Sequence, residues 1–291
     1  MRLIKSDRSA VALALASVLF WSGAAAAFKN ALVFGSPWLV VLLGTLISTL
    51  LFGMVAAAGK ARVSRGDVLS GLYLGFLNPF LYYLILLNAY NGLPAQIAMV
   101  VNYLWPVVLV LLSVPILGQK LNAWGFAGIL LSFTGVMLLA LLGRETLEIR
   151  KVPLILAFAS TVIWAVYWLL NTRNKGRTSS VLFTGFAFGS VYLLLYGIIT
   201  GEQFSLHAGI VPWALYIGVF EMGITYLMWN TALKWASSTA AVGGLIFITP
   251  FLALVFIALF VGETIAISTV AGLLLVVAGI FVEKGSRRRS S

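Results

Sequence analysis

The chain is 291 residues long, 62% apolar and only 9% charged, with a mean hydropathy of +1.06. Soluble domains carry about 25% charged residues, so a water-soluble globular fold is excluded. The absence of cysteine removes disulfides, thiolate chemistry and cysteine-based metal sites, and a net charge of +11 raises the question of where the basic residues lie.

Runs of apolar residues recur along the whole length, each near the roughly 20 residues that cross a hydrocarbon core about 30 Å thick. Ten are read here: about 9–31, 37–58, 67–90, 95–117, 122–142, 152–172, 180–200, 210–233, 239–261 and 266–283. In lipid only helices and closed barrels satisfy their own backbone, and the alternating pattern of barrel strands is absent. The expectation is an all-α polytopic membrane protein with ten transmembrane helices.

The first run begins MRLIKSDR, continues AVALALASVLF and ends in AAAA, the parts of a secretory signal peptide. A repeat described below includes this run, which favours a retained first helix. On that helix Trp21, Phe28 and Lys29 share a face. Lys29 lies near the outer end, where it either snorkels to headgroups or attracts a substrate carboxylate. In the third helix Asn78 and Tyr82 share a face. In the fourth, Asn102 and Tyr103 precede Pro106, which removes a backbone donor and predicts a kink. The sixth carries Trp164, Tyr167, Trp168 and Asn171 at i, i+3, i+4 and i+7, a stripe that serves either helix packing or an aromatic cavity wall.

The eighth helix contains GVFEMGITYLMWNTA, with Glu221 near its centre. A carboxylate at the bilayer midplane costs roughly 3 kcal/mol on insertion scales, so it faces the bundle or a wet cavity. Glu221, Thr225, Met228 and Trp229 are spaced to share one helical face. Glu221 then binds a substrate ammonium or carries a proton, or it is a buried acid braced by a neighbouring helix. Pro250 in the ninth helix is the counterpart of Pro106, and Glu263 ends that helix, where a structural or gating role is expected.

The basic residues orient the chain. With the amino terminus inside, Arg2, Lys5, Arg8, Lys60, Arg62, Arg65, Lys120, Arg173, Lys175, Arg177, Lys234, Lys284 and Arg287 to Arg289 are cytoplasmic. Only Lys29, Arg144, Arg150 and Lys151 fall on the other side, as the positive-inside rule requires. The charge sets topology and meets anionic headgroups, and no nucleic-acid partner is expected.

The chain also repeats. At an offset of 143, Trp21 meets Trp164, Tyr73 meets Tyr216, Gly75 meets Gly218, Asn78 meets Glu221 and Tyr83 meets Tyr226. After one inserted residue, Pro106 meets Pro250, Gly118 meets Gly262, Gly128 meets Gly272 and Gly135 meets Gly279 at an offset of 144. The expected organisation is a first repeat over 1–143, a second over 152–283 and a basic cytoplasmic tail over 284–291. Five helices per repeat is odd, so the second repeat runs through the membrane in the opposite sense, the inverted-topology plan of secondary transporters.

LFWSGAAAAFKN (19–30) and the phrase from Pro250 to Gly262 and Glu263 resemble the drug/metabolite transporter superfamily of the ten-helix EamA-repeat type. In the first repeat the corresponding phrase runs from Pro106 to Gly118 and Gln119, a departure from the family glutamate. The likeness is greatest to the YddG-type branch of aromatic amino acid exporters. It implies export of amino acids, large neutral or aromatic ones preferred, by alternating access across a bacterial cytoplasmic (inner) membrane with both termini inside. The alternative is a proton-coupled exporter of hydrophobic or cationic drugs or metabolites. The chain is not expected to be an enzyme. Its partners are a small-molecule substrate and the lipid bilayer, a monomer suffices, and no cofactor or metal is expected. The candidate substrate contacts are Trp21, Lys29, Asn78, Tyr82, Asn102, Tyr103, Trp164, Tyr167, Trp168, Glu221, Thr225 and Trp229, with Pro106, Pro250 and Glu263 as hinge or gating residues.

Overall fold

An apolar run in hydrocarbon closes its own N–H···O=C ladder because no water is there to take the bonds, and every predicted run is helical. The structure is a computed structural model and describes residues 6–60, 62–118, 121–142, 148–172, 178–237 and 239–290. Arg2, Lys5, Gln119, Lys120, Arg144, Arg173, Lys175 and Arg177, named above, lie outside the described residues. The helices are α1 (Asp7–Ala31), α2 (Pro37–Ala58), α3 (Arg65–Gly92), α4 (Ala95–Leu117), α5 (Ala123–Leu142), α6 (Lys151–Thr172), α7 (Thr178–Thr200), α8 (Ala208–Trp235), α9 (Val242–Val261) and α10 (Ile267–Ser290). Among the described residues nine are long and apolar enough to cross a membrane, and the shorter apolar stretch Ala123–Leu139 belongs to α5.

Local chemistry starts the helices where the sequence offers it. Ser36 caps α2 ahead of Pro37, its side chain accepting from Leu39 N. Ser64 and Asp67 cap α3 reciprocally, with Ser64 N donating to Asp67 Oδ2 over 2.9 Å and Asp67 N to Ser64 Oγ over 3.1 Å.

Several helices are interrupted within the membrane. α1 breaks at Gly23. α4 breaks between the segments Ala95–Asn102 and Trp105–Leu117. α3 widens into a π-helical stretch at Phe76–Leu81, where Asn78 leaves helical geometry (φ −147°, ψ 119°) and precedes a cis peptide to Pro79. α8 does the same at Ile217–Ile224, where Gly223 is the non-helical residue (φ −106°, ψ −107°). Asn78 and Glu221 are repeat partners, so the two helices open at the same level of the plan.

The chain forms two compact units, each drawing helices from both repeats. One comprises Met1–Phe80 and Lys175–Val261, and the other Leu81–Asn174 and Gly262–Ser291. In the first unit α3 and α7 meet at two G-x-x-x-G runs, 71–75 and 185–189. A Cβ on Gly75 would collide with the Gly185 carbonyl, and one on Gly71 with Thr184. Thr184 Oγ1 also donates to Asp67 O over 2.9 Å.

In the second unit α5 lies antiparallel against α10. Gly128 is the repeat partner of Gly272, yet in space it faces Gly279; Gly135 faces Gly272. That crossed pairing is what a two-fold axis through the interface demands. Ser132 Oγ donates over 3.0 Å to the carbonyl of Val276, its own repeat partner, and so marks the axis.

Candidate functional site

In the first unit the break of α1 meets the opening of α8. An interrupted helix leaves carbonyls without their i+4 donors, and in hydrocarbon these must be met by side chains. Trp21 Nε1 donates to Glu221 O over 3.2 Å, Tyr216 Oη donates to Phe20 O over 2.6 Å, and Ser22 Oγ reaches Thr249 O at 3.2 Å. The Trp21 ring meets Tyr226 at 6.0 Å and Trp229 at 5.5 Å, both edge-on. Thr225 is fully buried, while the Glu221 and Trp229 side chains are each 8% exposed. Trp21, Glu221 and Trp229 therefore come together, Trp21 through the backbone of Glu221.

Glu221 and Thr225 do not share one regular helical face on α8. Glu221 and Thr225 flank the non-helical Gly223, so i, i+4 spacing does not set their relative direction. The same holds for Asn78 and Tyr82, which the opening of α3 places in different compact units. Trp21 and Lys29 are separated by the break at Gly23, whose own backbone stays in the right-handed helical region. Lys29 is half-buried beside Asn30, whose Nδ2 donates to Phe260 O over 3.1 Å. Asn78 is 2% exposed, and neither its Nδ2 nor its Oδ1 has a hydrogen-bond partner among the described residues. A buried amide left so costs about 1–3 kcal/mol per group, an arrangement proteins keep where something else supplies the bond.

The second unit holds the aromatic stripe. α6 runs unbroken through it, and the expected spacing survives. Tyr82 stacks on Trp164 (4.5 Å, 23°), and Trp164 stacks on Tyr167 (5.4 Å, 18°). Trp168 stands edge-on to both α6 rings, at 5.7 Å from each. Beside this stack Tyr82 Oη donates to Asn102 Oδ1 over 3.2 Å, and Asn102 Nδ2 donates to Ser160 Oγ over 3.2 Å. Asn102 ends the first segment of α4, and Tyr103 is half-buried in the break itself. Ser160 was not among the sequence candidates.

Pro106, Pro250 and Glu263 all stand where helical segments begin or end. Pro106 and Pro250 each sit in the first turn of a new helical segment, Trp105–Leu117 and Thr249–Phe256, where an N–H has no intrahelical partner to lose. Glu263 caps α4 from a distance. Its Oε1 accepts from Ala95 N over 2.6 Å and its Oε2 from Gln96 N and Nε2 over 3.2 Å each. Pro94 stands at the N-cap with no side chain able to accept, so an acid from elsewhere meets the positive end of the helix. Gln96 completes the clamp, donating to Thr264 O and accepting from Ala266 N and Thr269 Oγ1.

The EamA-like transporter family model matches residues 8–141 and again 151–282. The uncharacterized transporter YvbV of Bacillus subtilis (strain 168) is 28% identical over 287 residues, covering 96% of this chain and 92% of its own. The aromatic amino acid exporter YddG of Ancylobacter novellus is 28% identical over 244 residues, 79% of this chain and 81% of its own. Its Escherichia coli (strain K12) namesake is 29% identical over 192 residues, 62% and 63% of the two chains. A crystal structure at 22% identity covers 98% of this chain and 99% of its own with a TM-score of 0.68, a likeness that carries the fold alone. Two family matches, one on each repeat and together spanning nearly the whole length, show that the chain belongs to the EamA-like transporter family.

Proposed function

We propose that the protein exports amino acids, preferring large neutral and aromatic ones, across the bacterial cytoplasmic membrane by alternating access. The observation that carries this reading is the Tyr82–Trp164–Tyr167 stack with the Asn102 amide at its edge. Stacked rings offer a flat apolar face to an aromatic side chain, and the adjoining polar groups offer hydrogen bonds to a zwitterion. The names of the YddG relatives point the same way. Asn78 and Glu221 are proposed as further transport residues, Glu221 through the ammonium of a substrate or a proton. The orientation proposed is both termini in the cytoplasm, and a single chain carries a complete repeat pair.

The test is flux in proteoliposomes of the purified protein, comparing tryptophan, threonine, aspartate and a quaternary ammonium dye with and without a pH gradient. Neutral amino-acid flux that ignores the gradient is expected, with Glu221→Gln slowing it at unchanged yield of folded protein. Dye flux driven by protons, without amino-acid flux, replaces this reading with drug export and makes Glu221 the proton carrier.

A further inference from the structure

The hydrogen bonds beside the aromatic stack have only one possible direction. The Ala157 carbonyl oxygen can only accept, so the 2.7 Å bond from Ser160 Oγ commits the serine's single hydrogen. Ser160 can then meet Asn102 only as an acceptor, and the amide atom facing it must be Nδ2. That turns Asn102 Oδ1 toward Tyr82, which has to spend its own hydrogen on it. A main-chain carbonyl of α6 thereby sets the polarity of a serine, an amide and a phenol in succession. Ser160 is fully buried and Tyr82 is 5% exposed, while Asn102 between them is half-buried.

We propose that Ser160 is a positioning residue that holds the Tyr82 oxygen as an acceptor toward anything else it meets. Resting on the reading of Tyr82 as part of the substrate wall, this makes the wall select molecules that bring an N–H donor, a protonated amine above all. It disfavours analogues with only an acceptor at the same place. Phenylalanine and phenylpyruvate share a ring and a carboxylate and differ there, ammonium against keto oxygen.

The experiment measures uptake of both compounds into proteoliposomes bearing the wild-type protein, Ser160→Ala or Ser160→Thr. The wild type is expected to prefer phenylalanine. In Ser160→Ala the amide is free to turn, Tyr82 can donate elsewhere, and the preference falls about tenfold, the worth of one charge-assisted hydrogen bond. Ser160→Thr keeps the hydroxyl and keeps the preference. An unchanged preference in Ser160→Ala overturns the proposal. The tyrosine Raman doublet of the purified proteins, differenced against Tyr82→Phe, reads the relay without any substrate. Its donor signature weakens in Ser160→Ala if the relay sets Tyr82, and its persistence overturns the relay whatever the protein carries. Absence of flux for both compounds in the wild type, with the Raman change present, removes the amino-acid reading and leaves the relay standing.

Discussion

The contact of α1 with α8 and the contact of α6 with α3 occupy the same place in the repeat, each inside its own compact unit, yet they have become different things. Trp21 and Trp164 are repeat partners. Trp21 meets its neighbours edge-on and uses its indole N–H to hold a carbonyl of the opened α8. Trp164 lies face to face with Tyr82 and Tyr167. The cause is in the partners: where α3 carries Tyr82, α8 carries Thr225, and where α6 carries Tyr167 and Trp168, α1 carries the buried Ala24 and Ala25. Small residues flank the broken segment in one pair of helices. Stacked rings fill the corresponding place in the other. A duplicated scaffold supplies two equivalent positions, and residue volume decides which closes on a backbone carbonyl and which holds a ring stack.

Alanine at the two tryptophans should break this comparison most visibly. Trp164→Ala is expected to lower amino-acid flux more than about tenfold while the melting temperature moves little, because the ring's faces serve a wall. Trp21→Ala is expected to cost about 3–5 kcal/mol through lost packing and a stranded carbonyl, seen as loss of folded protein in thermal unfolding. Equal stability losses for the two would erase the distinction. A smaller effect is expected at the clamp: Glu263→Ala uncaps α4 and should cost about 1–2 kcal/mol, a drop of several degrees in Tm, with substrate preference unchanged. A changed preference there would assign Glu263 a gating role. Least of all, Ser132→Ala removes one interhelical bond within a membrane, worth about 0.6 kcal/mol, and should shift Tm by no more than a few degrees.

Hydropathy placed all ten helices because each must satisfy its own backbone in lipid, and the near-constant offset of rare residues revealed the repeat. Glu221, Asn78 and the α6 stripe were legible for a simple reason: polar and aromatic side chains stand out against an apolar background. The openings of α3 and α8 were not, since a period of 3.6 presumes the helix whose interruption is at issue. A glycine such as Gly223 marks a possible break without locating it. Gln96 was hidden because its partners, half of them backbone groups, lie about 170 residues further along the chain. Ser160 was hidden because a serine in an apolar helix ordinarily bonds its own preceding turn, as this one also does.

The bond from Ser132 to Val276 has a consequence that belongs to symmetry rather than to packing. In a homodimer, whatever residue stands on the dyad stands there twice, and two serines or two valines must make terms with each other. Joining both repeats in one polypeptide lifts that constraint. One side can give a hydrogen while the other lends only a carbonyl, and the same licence lets Asn78 face a different task from Glu221. Near-symmetry in a single chain is thus a source of asymmetric chemistry that no true dimer of identical subunits can draw on.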